Sequence, residues 1–268
     1  MRAALGSPPL LIGAAILLFW IACALFGHRM TPLDPYADDL LATLAAPSSA
    51  HWFGTDQLGR DIFSRVIVGA RDLLIVAPLA TALGTLLGTA LGLLVGYFRG
   101  PLDDIVSRVI EALQALPLVI VALMALAAIG TSNLSVVLVI GFVFTPLIAR
   151  TVRSATLSEV DRDYVAAARV RGDSALAIMF VEILPNVLPV AIVEMTVRLG
   201  YAIFFVATLS FIGFGIQPPS ADWGIAIAEN YSLIGSYWWT ILFDAGATAS
   251  LIIAVNLVAD GLQNLAEQ

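Results

Sequence analysis

Long uninterrupted apolar runs dominate the chain, with short polar stretches between them. A helix that crosses a bilayer needs about 20 mostly apolar residues. Six runs approach or exceed that length: 9–27, 73–98, 105–129, 134–151, 187–211 and 238–259. Arg99-Gly100-Pro101 and Gly130-Thr131-Ser132-Asn133 place Gly and Pro where helices stop. The pattern predicts an all-α membrane protein, a six-span helical bundle. Residues 1–27 form an N-terminal span and 28–71 a polar segment. Residues 72–268 form a five-span core with polar loops at 152–186 and 212–237. Residues 10–26 behind Arg2 also have the shape of a signal peptide. Trp20 suits its cleavage site poorly and more spans follow, so an uncleaved first span is expected.

The polar loop before the fifth span carries its own helical pattern. Asp161 and Asp163 stand at the start of a short helix, where carboxylates suit the positive end of the dipole. Ala166, Ala167 and Ala168 are strong helix formers. Arg169 and Arg171 fall in its last turn, and Gly172 supplies a left-handed stop. Asp173 or Ser174 can cap a second helix. There Leu176, Met179, Phe180 and Ile183 make an apolar stripe. Pro185, after Leu184, is expected to close the unit. A passive connector needs neither caps nor stripe. The pattern fits a lever on which a soluble partner acts, and equally an amphipathic hairpin resting on lipid. A second partial stripe, Leu58, Ile62, Val66 and Ile67, predicts a surface helix over 57–71, or an ordinary solvated loop with a small apolar cluster.

Charge sets orientation. Residues 150–186 hold five Arg and residues 212–240 none, which places the first stretch inside the cell and the second outside. Both termini are then cytoplasmic. The 28–71 segment falls outside despite its four Arg, as long loops obey the rule less strictly. Trp223, Trp238 and Trp239 suit an outer interface belt.

Composition narrows the chemistry. The chain is 60% apolar and 12% charged, half the charge of an ordinary soluble domain. All 13 basic residues are Arg. Without Lys there is no Walker A motif, so any ATP is bound by another chain. There is no basic patch for nucleic acid. The single Cys, Cys23, and two His give no metal site, and no nucleophile–base pair suggests a catalytic one.

Polar groups within spans are functional candidates, each costing roughly 2.5–3.5 kcal/mol at mid-membrane when charged. They are Glu111 and Gln114 in the third span, Glu194 and Arg198 in the fifth, and Asp244 and Asn256 in the sixth. Glu194 and Arg198 are four apart with Glu first, the favourable order for an ion pair. They suit a polar path, a state-dependent lock, or an internal pair that fixes packing. Gly84, Gly88, Gly92 and Gly96 line one helix face and allow close backbone approach. That face serves either as a sliding or dimerising surface or as tight packing within the bundle.

Several blocks together resemble a known family. Tyr164-Val165, Ala167-Ala168-Arg169, Gly172 and Leu184-Pro185-Asn186 are similar to the cytoplasmic EAA loop of permeases of the dipeptide/oligopeptide/nickel family of ABC importers. The stretch from Phe53 to Arg65 resembles that family's external block. Leu209 to Gly215, Pro218-Pro219, Trp223-Gly224, Asn256 and Asp260-Gly261-Leu262 resemble its later blocks. The resemblance implies a type I importer bundle and the second permease of a heterodimeric pair in the bacterial cytoplasmic membrane. It implies two ATPase subunits or one fused ATPase, with ATP and Mg²⁺ on those partners, and an extracytoplasmic substrate-binding protein. Membrane lipid surrounds the chain. Di- or oligopeptide is the expected cargo; nickel chelate, glutathione and haem are alternatives. Asp163 to Gly172 with Leu184 and Pro185 would couple to the ATPase. Ala166 stands where the signature usually has Glu, and Glu182 where His is common. Asp163, Arg169 or Arg171 would then carry the missing contact. A secondary transporter, the rival class, would show interrupted helices and internal repeats, and no convincing repeat is visible.

Overall fold

The computed structural model describes residues 8–266, with side chains up to Gln263. Arg2, and residues 267–268 of the C-terminal end, lie outside the described residues. The described residues form helices joined by turns and by one long irregular segment, 31–61. They are α1 (Pro8–Met30), α2 (Ile62–Phe98), α3 (Gly100–Gln114), α4 (Leu118–Ile129), α5 (Asn133–Glu159), α6 (Asp163–Val170), α7 (Ala175–Ile212), α8 (Trp223–Asn230) and α9 (Trp239–Ala266). Among the described residues, α1, α2, α5, α7 and α9 are each long and apolar enough to cross a membrane. The bent pair α3–α4 makes a sixth span if counted as one. The all-α, multi-span reading therefore stands.

Three elements differ from their sequence expectation. The third span, expected as one helix over 105–129, is two helices meeting at 91°. Pro117 lacks an amide hydrogen and disfavours helix in the residue before it, so α3 stops at Gln114 and α4 restarts at Leu118. The surface helix expected over 57–71 is the first turns of α2. Asp61 caps it, its Oδ2 accepting from Ser64 N at 2.9 Å and Ser64 Oγ at 2.7 Å. Ile62, Val66 and Ile67 are buried there, while Leu58 lies before the helix and is exposed.

Pro185, expected to end the second helix of the loop, sits inside α7 instead. A π turn at Ile178–Ile183 immediately precedes Leu184 and Pro185. Its longer hydrogen-bond step accommodates a residue that donates no hydrogen bond. The extra residue also rotates the helix face. Ile178, Met179 and Ile183 are buried, whereas Leu176 and Phe180 of the expected stripe are exposed.

The chain divides into two compact units. One comprises the segments up to Pro78, Leu126–Val136 and from Leu199 onward; the other comprises Leu79–Ala125 and Val137–Arg198. In the first, α1 lies close along α9: a Cβ on Gly13 would stand 2.7 Å from Leu257 Cβ. Trp20 Nε1 donates to Ser250 Oγ at 2.9 Å. Trp223 is fully buried, donates to Val66 O at 3.0 Å and packs edge-on against Trp20. In the second unit, α2 meets α5 through the four-spaced glycines. A Cβ on Gly92 would lie 2.7 Å from both Ala149 O and Val152 Cβ, so glycine permits this backbone approach. Gly84, Gly88 and Gly96 face α5 in the same way.

Candidate functional site

The polar loop folds into an elbow braced at both ends. α6 begins after Arg162 with Asp163 in its first turn, and Arg169 stands in its last. Gly172 has φ +80°, a left-handed conformation that ends the helix. Ser174 then caps α7, its hydroxyl accepting from Ala177 N at 3.2 Å. Val165 and Ala168 are buried, while Asp163, Ala166, Ala167 and Val170 share an exposed face at helical spacing.

Side chains from the neighbouring helices fix this elbow. Arg99, just after α2, donates to Asp161 Oδ2 at 2.7 Å and to Leu157 O at 3.2 Å. That hydrogen bond holds the Asp161 carboxyl below the usual carboxylate range. Arg169 lies over the ring of Tyr97, 5.6 Å from its centre. Tyr164 Oη donates to Glu159 Oε2 at 2.9 Å and accepts from Asn186 Nδ2 at 3.2 Å. Burial, and then the Glu159 carboxylate, push the Tyr164 phenol up to about 12. Arg171 donates to Asp173 at 2.7 Å and to Glu182 at 2.5 Å. Glu182 thus closes the turn onto α7.

Arg171 is committed within the elbow and Arg169 is stacked on Tyr97. Asp163 and the apolar side chains face outward. Val170 is 89% exposed, and Leu176, Phe180 and Val181 are also exposed. Leu184 is half-buried and Pro185 exposed. The elbow therefore offers a braced outer surface on which exposed apolar side chains lie beside the charges of Asp161, Arg162 and Asp163 at its start.

The polar candidates of the spans fall into two groups. In the second unit Glu194 and Arg198 pair at 2.7 Å. Glu111 and Gln114 lie in the last turns of α3, before the bend, rather than in the middle of a straight span. Glu111 is exposed and Gln114 accepts from Arg150 at 3.1 Å. Asp103, also on α3, takes a bidentate pair from Arg153 at 2.5 and 2.6 Å. In the first unit Asp244 is buried, with Oδ1 unpartnered. Asn256 is exposed and donates to Ile252 O at 2.9 Å.

One cluster escaped the sequence reading. Asp56, Asp61, Thr55 and Arg65 are all buried. Asp56 accepts from Leu58 N, Arg60 N and Arg60 Nε at 2.6–3.0 Å. Arg60 also reaches Glu229 at the end of α8 at 2.6 Å. At the other end of α8 Asp222 is the cap, accepting from Ile225 N at 3.0 Å. Its Oδ2 has no partner, and burial pushes its carboxyl up to about 6. The Asp56-Gln57-Leu58-Gly59-Arg60 spacing was the available signal, a carboxylate and a guanidinium four apart.

A helical protein of several spans, with a braced elbow between two of them, belongs to the class of multi-pass membrane proteins. Residues 88–268 match the profile of the binding-protein-dependent transport system inner membrane component. The chain is 38% identical to the dipeptide transport system permease protein DppC of Escherichia coli K12, over 94% of this chain and 86% of that one. It is 35% identical to the "Probable D,D-dipeptide transport system permease protein DdpC" of the same organism, over 97% and 87%. It is 34% identical to the di/tripeptide transport system permease protein DppC of Pseudomonas aeruginosa, over 94% and 85%. The chain belongs to the family of binding-protein-dependent transport system inner membrane components. That membership outweighs the broken α3–α4 pair as a sign of a secondary transporter.

Proposed function

We propose that this chain is a permease subunit of an ATP-driven importer of di- or oligopeptides. It forms the translocation path with a second permease, as one half of a heterodimer. ATP and Mg²⁺ bind to ATPase partners, two subunits or one fused chain, and a substrate-binding protein delivers cargo from outside. The elbow lies on the cytoplasmic side with both termini, and 31–61 and α8 lie outside. Relatives that are 34–38% identical over nearly the whole chain carry dipeptide or di/tripeptide names, which supports the cargo.

The observation that carries the coupling role is the bracing of α6 from Arg99, Tyr97 and Glu182 while its opposite face stays open. A push on Ala166, Ala167 and Val170 then moves α2, α5 and α7 of that unit instead of deforming a loop. With Ala166 in place of the signature Glu, Asp163 is the exposed acidic group on that face for an ATPase contact.

The single cysteine makes a clean test. In a Cys23→Ala background, a cysteine placed at Val170 is expected to crosslink to an ATPase subunit in membranes. Ala167→Arg is expected to abolish labelled dipeptide uptake while leaving the chain in the membrane. A crosslink pattern free of every ATPase, or unchanged dipeptide uptake in cells lacking the chain, would refute this function.

A further inference from the structure

Within the first unit, a cavity of about 440 Å³ opens between α1 and the start of α2. Leu17, Ile21 and Leu25 of α1 line one wall, Ile75 and Pro78 of α2 the other, and Ile203 of α7 the floor. It has the size of a small-molecule site, and its lining is almost wholly apolar. A smaller cavity of about 190 Å³ continues it, sharing Ala24, Leu25 and Arg71 and adding His28. An apolar slot thus ends at a guanidinium and an imidazole.

The charge at that end is open to a ligand. Among the described residues no carboxylate lies within ion-pair distance of Arg71. Its neighbour Asp72 is occupied, accepting from Ser220 Oγ at 2.6 Å. Tyr36 lies near both Arg71 and Asp72, with its ring 6.3 Å from that of His28. Arg29 follows His28 at the end of α1.

The position matches a membrane interface. Residues 73–98 of α2 carry no charge and make roughly 40 Å of helix, so Arg71 and Asp72 are the first charges beyond the apolar stretch. His28 and Arg29 hold the same place on α1 after the apolar run 9–27. From that level the slot descends roughly 10 Å along α2 to Pro78 and roughly 16 Å along α1 to Leu17. One leaflet's hydrocarbon is roughly 15 Å deep. A basic end at headgroup level above an apolar slot one leaflet deep is complementary to a lipid with a negatively charged head.

We propose that this groove holds an acyl chain of an anionic phospholipid whose phosphate sits between Arg71 and His28. The site is one of specific lipid retention, distinct from the general bilayer surrounding the chain.

The test uses the full chain, in the complex it purifies in, placed in nanodiscs of phosphatidylglycerol and phosphatidylcholine. Each lipid in turn carries a photoreactive acyl chain, and crosslinked peptides are mapped by mass spectrometry. Phosphatidylglycerol is expected to label residues 17–25 and 74–78 in preference to phosphatidylcholine. Arg71→Gln lowers that preference about fivefold, the effect of one basic group at an anionic surface, and Arg71→Lys restores most of it. Ala24→Trp fills the slot without touching the charge and removes labelling by both lipids. Circular dichroism and gel filtration confirm folding of each variant, and the wild-type ratio of the two lipids is a test that needs no variant. Equal labelling by both lipids in the wild type overturns the proposal, as does a preference that Arg71→Gln leaves intact. Excess inorganic phosphate that erases the preference while acyl labelling persists assigns the basic end to a free anion instead. A photoreactive residue at Leu25 that captures a second permease and no lipid shows that protein covers the groove, and also overturns it.

Discussion

The 31–61 segment and the 160–186 elbow are both polar interruptions of an apolar chain, but they spend their charges differently. In the segment, regular structure is nearly absent beyond a 3₁₀ turn at Leu40–Ala42; Asp34, Asp38 and Asp39 are exposed, but the charges nearest α2, Asp56, Arg60 and Asp61, are turned inward. Asp56 and Asp61 are buried, as is Arg65 in the first turns of α2, and Phe53 stacks on Phe243 at 3.8 Å. In the elbow the backbone is helical and most of the charges are at the surface. Buried pairs lock a shape that backbone hydrogen bonds alone do not specify, and losing one partner strands the other. Exposed pairs contribute little to stability. The segment's shape rests on buried pairs; the elbow's rests on helices braced at their ends, the arrangement that the proposed coupling role requires.

The largest expected effect breaks the segment. Asp56→Ala removes the acceptor of Leu58 N, Arg60 N and Arg60 Nε and leaves the buried Arg65 with no carboxylate within ion-pair distance among the described residues. A loss of about 3–5 kcal/mol is expected. It is read as a lower thermal midpoint in detergent together with new protease cuts within 31–61. An Asp56→Ala protein that unfolds like the wild type would erase the contrast between the regions.

Next comes the cap of α8. The Asp222 carboxyl, raised from its ordinary 3.8 to about 6 by burial, favours its protonated form in the folded state. Its contribution is therefore fully present below about pH 4 and is lost as pH rises through 6. The change is on the order of 2–3 kcal/mol. The thermal midpoint in detergent should fall as pH rises from 4 to 7. Asp222→Asn should flatten that slope.

A smaller effect tests what the elbow stands on. Gly92→Val places a side chain where even a Cβ would stand 2.7 Å from Ala149 O. Overpacking of roughly 1–3 kcal/mol is expected. The displacement of α2 from α5 also shifts Arg99 away from Asp161. Uptake should fall further than stability, because the brace is lost while the fold remains.

The sequence made different parts of these regions legible. The elbow's ends were readable because Gly172 and Ser174 act locally, through a positive φ and a hydroxyl cap. Its buried face was not, because the π turn at Ile178–Ile183 shifts the register by a residue that no 3.6-residue pattern anticipates. The break after Gln114 was masked by apolar residues on both sides of Pro117, which periodicity reads as one span. The buried charges at Asp56 and Arg65 were hidden for the opposite reason. A polar composition reads as solvated, and only the tertiary fold brings Glu229 to Arg60. Long apolar spans were the most legible feature, since their length alone answers to bilayer thickness.

The smallest expected change in stability bears most directly on the elbow. Arg171 and its partners lie at the surface, where solvent screens their attraction. Arg171→Ala and Glu182→Ala should each melt with the wild type, singly and together. If the pair acts as a brace, both single variants should lose dipeptide uptake to a similar degree, and the double variant should lose no more than either one. That non-additivity is the mark of two residues acting through one contact. Independent, additive losses would mean that each side chain meets a partner protein separately, and the elbow would then be a set of docking points rather than a stiff arm.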